Sequence, residues 1–167
     1  MLIVMGGLPG TGKTTLARLL AARIGAVHLR VDAIEQVLVS SGLDRHPVGP
    51  VGYAVGCALA EAHLRQGLTV IAESVDPLSV TRDAWRATAV RAGVPVVEVE
   101  VVCSDPAEHR RRVRSRSVDI PGLPLPDWQQ VVDREYEPWG RERVVVDTAG
   151  QSPPQSLALL LRGLAQG

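Results

Sequence analysis

Lys13 is the only lysine in the chain, and it stands in the run Gly7-Leu8-Pro9-Gly10-Thr11-Gly12-Lys13-Thr14. A glycine, four residues, then glycine, lysine and a hydroxyl residue is a spacing suited to gripping a chain of phosphates. The glycines let the backbone curl until successive amides point inward at an anion, and a helix beginning at Lys13 adds the positive end of its dipole. The Lys13 ammonium then meets the β- and γ-phosphates, and the Thr14 hydroxyl is a ligand for Mg²⁺. A glycine-rich strand-to-helix turn without chemistry would use the same residue types. Here, however, the run directly follows an apolar strand pattern and opens a helical one. Residues Gly7, Leu8, Pro9, Gly10, Thr11, Gly12, Lys13, Thr14 and Thr15 are therefore expected to hold a nucleoside triphosphate.

Other chemistry-bearing residues fall where such a site would need them. Asp32 ends the second apolar run, and in an open parallel sheet the ligand crevice lies beyond the carboxyl ends of the strands. It is thus expected to face the same crevice as Thr14, although aspartate there also suits a helix N-cap. Glu73 closes the run Leu-Thr-Val-Ile-Ala-Glu at the place of an acid that holds a magnesium shell, with one methylene more than the usual aspartate. Arg110, Arg111, Arg112, Arg114 and Arg116 crowd one helical segment. Arg112 and Arg116, four apart, are expected to share a face and clamp a polyphosphate whose charge spreads during transfer. Arg110 is grouped with the nucleotide contacts. Pro121, Gly122, Pro124 and Pro126 break regular structure behind the cluster, which gives a lid over about 110–126. Asp32, Tyr53, Glu73 and Arg82 are the candidate contacts to an acceptor, and His46 falls in the same region. Trp85, Trp128 and Trp139 read as packing residues, and His28, His63 and His109 show no metal-site pairing.

The elements that must position these residues follow from apolar period. Short apolar runs alternate with helical segments, the pattern of a parallel sheet covered on both faces. Strands are expected over Leu2–Met5, Ala26–Val31, Leu68–Ala72, Val94–Cys103 and Arg143–Asp147. Helices are expected over Thr14–Ile24, with Leu16, Leu19, Leu20 and Ile24 on its buried face, over Ala33–Val39, and from about Gly52 to Gln66. Further helices start near Ser79 or Thr81 and stop at Gly93, start at Ser104-Asp105-Pro106, run from Asp127 to Tyr136, and close the chain over Gln155–Leu164. The 167 residues make one domain, 1–167, and Cys57 and Cys103 are expected to be reduced core residues. With 18 basic and 18 acidic side chains the chain has no electrostatic footprint for nucleic acid or an anionic membrane. No apolar run is long enough to span a bilayer and no secretory signal is visible, so the cytoplasm is the expected compartment.

Read together, the P-loop, Asp32, Ala72-Glu73-Ser74-Val75-Asp76-Pro77 followed by Thr81-Arg82-Asp83-Ala84-Trp85, Cys103-Ser104-Asp105-Pro106 leading into the arginine-rich helix, Tyr136-Glu137-Pro138-Trp139, and Val146-Asp147-Thr148 resemble the AAA_33-type small P-loop kinases. These are relatives of chloramphenicol phosphotransferase, gluconate kinase, shikimate kinase and adenylylsulfate kinase, and the resemblance covers nearly the whole chain. It implies an α/β P-loop NTPase fold with a five-stranded parallel sheet in the order 2-3-1-4-5, an arginine-bearing lid, and phosphoryl transfer from ATP with Mg²⁺ to a hydroxyl of a small molecule. Asp32 would contact the acceptor hydroxyl, Arg112 or Arg116 would stabilise the transferred group, and the loop Thr148–Gly150 would border the adenine. Two other readings stand beside it. One is a regulatory or partner-binding nucleotide module with little kinase activity, and the other is a polynucleotide 5′-hydroxyl kinase, which the missing basic surface disfavours. The acceptor and the oligomeric state are not written in the sequence.

Overall fold

The structure is a computed structural model that describes residues 1–43 and 48–165, so His46 lies outside the described residues. Strands β1 (Leu2–Gly6), β2 (Val27–Arg30), β3 (Val70–Glu73), β4 (Val96–Val102) and β5 (Val144–Asp147) form one sheet in the order β2-β3-β1-β4-β5. Every pair is parallel, as expected. Met5 of β1 lies beside Glu73 of β3, and Arg30 of β2 lies on the other side of Glu73. The carboxyl ends of the three strands therefore finish level, which is what gathers the candidate residues at one edge.

The helices are α1 (Lys13–Ile24), α2 (Val31–Ser40), α3 (Val51–Arg65), α4 (Ser79–Ala92), α5 (Pro106–Ser115), α6 (Trp128–Val132) and α7 (Pro153–Leu164). Successive side chains of a strand point to opposite faces, so β1 serves two cores at once. Leu2 and Val4 pack with Ala60 and Leu64 of α3 and Trp85 and Ala89 of α4. Ile3 and Met5 pack on the other side with Leu16 and Leu20 of α1 and Leu160 of α7. Such double burial explains why β1 is apolar throughout instead of alternating.

Several boundaries and faces differ from expectation. Leu19 and Ile24 stay outside the core, while Leu16, Ala17 and Leu20 are buried. A 3.6-residue period fits both stripes, but the P-loop fixes the rotation of α1 by burying Lys13, so the buried line runs through 13, 16, 17 and 20. Strand β2 stops at Arg30, and Asp32 lies in the first turn of α2 instead of at a strand end. Neither Ser79 nor Thr81 caps α4; Leu78 holds the N-cap, the Ser79 N–H donates to Glu137 Oε2 at 2.6 Å, and Thr81 Oγ1 donates back to the Leu78 carbonyl. Helix α6 ends at Val132, short of Tyr136, whose phenol is drawn to Glu100 of β4 and accepts from Trp139 Nε1. Helix α7 starts two residues early because Pro153 and Pro154 are tolerated in a first turn, where amide donors have no intrahelical partner. Asp105 and Pro106 open α5 and Gly93 ends α4 as expected. Cys57 and Cys103 are free and buried. No helix among the described residues is long and apolar enough to cross a membrane.

Candidate active site

The loop between β1 and α1 curls in a way that needs glycine. Gly7, Gly10 and Gly12 have φ of 148°, 86° and 96°. A Cβ on Gly7 would lie 2.3 Å from the Val101 carbonyl oxygen, and one on Gly10 would lie 2.6 Å from Val113 Cγ2. Three anchors fix the curl: Thr11 Oγ1 donates to the Leu8 carbonyl at 3.0 Å, His109 Nε2 to the Pro9 carbonyl at 2.8 Å, and Thr148 Oγ1 to the Thr11 carbonyl at 2.7 Å. Gly12 supplies no side-chain cap to α1, which leaves the first-turn amides facing the loop for an anion.

Lys13 is buried at the head of α1. Burial lowers its pKa, and the charges of Glu73 and Asp32 oppose that shift. The Thr14 hydroxyl donates to Glu73 Oε1. On its other oxygen Glu73 accepts from His28 Nε2 at 2.7 Å and faces Arg30 Nε at 3.4 Å. Burial pushes the Glu73 carboxyl up, but His28, Lys13, Thr14 and Arg30 outweigh it and hold the group below the usual carboxylate range. A hydroxyl and an ionised carboxylate side by side are hard oxygen donors, and Mg²⁺ keeps most of its waters and takes few protein ligands. Thr14 and Glu73 therefore fit a magnesium ion, even though no group of three or more metal-binding side chains exists among the described residues. Asp32 is half-buried and acts on Lys13 through space.

A cavity of about 500 Å³ opens beside the loop, bordered by Gly12, Lys13, Thr14, Arg112, Arg116 and Thr148 among others. Arg112 is fixed in place: Nη1 donates to Thr148 Oγ1 at 2.7 Å, and Nη2 donates to Glu108 Oε1 at 2.6 Å and to the Thr148 carbonyl at 2.9 Å. Arg116 is not on the same helical face. It is the C-cap of α5 with φ −61° and ψ 134°, so the chain has already turned extended when it delivers this side chain to the cavity. Arg110 is not brought to the cavity; with Arg111 and Arg114 it lines a separate shallow hollow on the outside of α5.

On the acceptor side the outcome is mixed. The Tyr53 hydroxyl accepts from the backbone N–H of Asp76 at 3.3 Å, and burial raises its pKa. Asp76 is fully buried, the one non-glycine residue with positive φ (49°) among those described, and it accepts from Trp85 Nε1 at 3.1 Å. Burial pushes its carboxyl up to about 6. Arg82 is turned inward at the start of α4. It is 2% exposed, its guanidinium lies 4.7 Å over the Trp139 ring, and it donates to the carbonyls of Leu78 and Glu137. An aromatic face and two carbonyls hold this long cation in the protein, while its Nη1 is buried without a hydrogen-bond partner.

Sequence reasoning missed His28, Arg30, His109 and Asp76. Strand alternation offered one faint signal for the first two, since His28 and Arg30 share a face of β2, the same one as their partner on β3. A glycine-curled loop feeding a helix, on a sheet with β1 at its centre, is the architecture of the P-loop domains. The chain belongs to the AAA_33 family, described as an AAA domain, whose profile matches residues 2–134. No curated protein matches it. Among solved structures it is similar to a gluconokinase from Sinorhizobium meliloti, 22% identical, covering 98% of this chain and 91% of that one with a TM-score of 0.68. It is also similar to the Mycobacterium tuberculosis APS kinase CysC in complex with AMPPNP and APS, at 16% identity, 98% and 96% coverage and a TM-score of 0.66. A third likeness is Chaetomium thermophilum Kti12 in complex with ADP-AlF3, at 20% identity, 98% and 98% coverage and a TM-score of 0.67.

Proposed function

We propose that the protein is a kinase that transfers the γ-phosphoryl group of ATP to a hydroxyl of a small molecule. The observation that carries this reading is Asp32, a half-buried carboxylate close enough to act on Lys13 and engaged in no ion pair among the described residues. An acid beside a phosphate cradle with no ion-pair partner among the described residues suits an incoming hydroxyl. The kinase neighbours support the same reading. Phosphoryl transfer asks a protein chiefly to align two reactants and to stabilise charge on the moving group. Loop amides and Lys13 would hold the triphosphate, and Thr14 and Glu73 would hold Mg²⁺, which when bound draws charge from the β- and γ-oxygens. Asp32 would accept the hydrogen bond of the acceptor hydroxyl and orient it in line. Arg112 and Arg116 would meet the charge that spreads over the transferred group, with Arg112 already set by Thr148 and Glu108.

The likeness to Kti12, solved with ADP-AlF3, favours a second reading, a nucleotide-binding module without an acceptor. ADP release by wild type and Asp32→Ala, with Mg²⁺ and a panel of sugars, nucleosides, amino alcohols and hydroxyl-bearing antibiotics, separates the two. For a kinase, at least one acceptor raises turnover, and the variant loses about a hundredfold or more of that rate while ATP affinity is kept. If no acceptor raises turnover and the variant matches wild type, the second reading stands.

A further inference from the structure

Asp119 lies three residues beyond the C-cap of α5, on the stretch that leads away from Arg116. Its Oδ2 is gripped from two sides. Arg18 Nη2, one turn past Thr14 on α1, donates at 2.6 Å, and Arg30 Nη1, at the end of β2, donates at 2.8 Å. Burial raises its carboxyl pKa, and the two guanidinia more than offset that and hold it below the ordinary range. Arg30 also faces Glu73, which accepts from the Thr14 hydroxyl. One run of charged contacts thus connects Arg18, Asp119, Arg30, Glu73 and Thr14, joining the segment after α5 to the floor of the phosphate site.

Arg116 needs such a device. Arg112 is held by its own hydrogen bonds to Thr148 and Glu108, whereas Arg116 has left the helix and is followed by exposed Ser117 and Val118. Among the described residues no side-chain hydrogen bond from α5 holds Arg116, and the next residue along the chain with ion-pair partners on other elements is Asp119. A lone surface ion pair would do little. Here a single carboxylate, itself 33% exposed, takes two cations from two elements, an exposed Arg18 and an Arg30 whose side chain is only 11% exposed. Arg116 and Asp119 border the same cavity, and Arg116 is near enough to depress the pKa of Lys13.

We propose that Asp119 is a positioning residue, a carboxylate clasp that closes on Arg18 and Arg30, draws residues 116–119 across the mouth of the cavity and sets Arg116 against the phosphoryl group in flight. The inference rests on the kinase reading of the site. It gives Arg18 a role that no phosphate contact requires and adds Asp119 to the residues on which the rate depends.

The test is a mutant cycle in the full chain with MgATP as the probe, alone and with each member of the acceptor panel, on wild type, Asp119→Asn, Arg116→Ala and the double variant. Asp119→Asn is expected to lower kcat about tenfold with the KM for MgATP within about twofold, and Asp119→Glu to recover most of the loss. Because the clasp works through Arg116, adding Asp119→Asn to Arg116→Ala is expected to change kcat no further. Losses that multiply, or an Asp119→Asn variant that differs from wild type only in Tm, overturn the proposal. Amide hydrogen exchange over residues 116–120 reads the clasp without turnover. Exchange about tenfold faster in Asp119→Asn and in Arg18→Gln supports it, and unchanged exchange refutes it. A chain that turns over no MgATP with any acceptor refutes the kinase reading instead, and the exchange result then stands by itself.

Discussion

Replacing Arg82 by methionine separates packing from substrate recognition. The guanidinium donates to two carbonyls, Leu78 at 3.2 Å from Nε and Glu137 at 3.2 Å from Nη2, and lies over Trp139 at 4.7 Å. Hydrogen bonds from a charged donor contribute about 1.5–3 kcal/mol each, and a desolvated cation–π contact about 2 kcal/mol. Against that, Nη1 is buried with no hydrogen-bond partner, which costs about 1–3 kcal/mol. The ion pair with Glu137 at 3.7 Å adds little, because that carboxylate is 43% exposed. Methionine keeps most of the apolar volume, and these contributions leave a net loss of about 2–7 kcal/mol, so roughly 4 kcal/mol is expected for Arg82→Met. For a domain of this size each kcal/mol moves Tm by about 2–4 °C, so thermal unfolding should shift down by about 10 °C. Well below that Tm, the KM for the acceptor and for MgATP should stay within about twofold of wild type. An unchanged Tm together with an acceptor KM raised tenfold would show that Arg82 reads substrate and that its burial is incidental.

Two more perturbations test other parts of the site. Asp76→Asn removes a carboxyl whose folded pKa of about 6 lies above its ordinary value of 3.8. A raised carboxyl means that the folded state holds the proton more tightly, so wild-type stability falls as pH rises from about 4 to 6 and stays lower above that. The difference in unfolding free energy between Asp76→Asn and wild type should therefore grow in the variant's favour by about 2–3 kcal/mol over that window, measured by urea unfolding at pH 4 and 7. Asparagine also tolerates the positive φ, and a flat difference across pH would refute the raised pKa. Gly10→Ala meets both the Val113 side chain and a φ of 86°, and should cost about 2–3 kcal/mol and at least tenfold in ATP affinity by calorimetry; a variant that binds ATP normally would show the loop to be more yielding than its geometry implies.

Legibility in the sequence follows from how far apart the deciding partners lie. The phosphate cradle was readable because its chemistry is contiguous: loop, lysine and hydroxyl residue fall within eight positions. The central strands β1 and β3 were readable because burial on both faces makes them apolar runs, β4 and β5 because β-branched residues dominate them, and β2 as a short segment between helical patterns. Their order came from the family resemblance. Arg82 was not readable, since an arginine at the start of a helix looks the same whether it meets solvent or an indole, and its partners Glu137 and Trp139 lie more than fifty residues away. His28 and Glu73 meet only because β2 and β3 are neighbours in register. On α1 the expected Leu16 and Leu20 are buried but Leu19 and Ile24 are not, for a related reason, because its rotation is set by the loop before it and not by its own period. Arg112 and Arg116 looked like one pair on one face, and the end of α5 at Ser115 gave them different supports.

The lone lysine has one more consequence. With arginine carrying every other basic charge, the side-chain amine of this chain is found in one place only, the floor of the phosphate cradle. Acylating or carbamoylating reagents, which ignore guanidinium, would therefore write a stable amide or carbamoyl mark on an amine at the nucleotide site or at the chain terminus and on no other amine. Occupancy becomes legible as protection of a single side-chain amine, Lys13 Nζ, with only the terminal amine to tell apart from it.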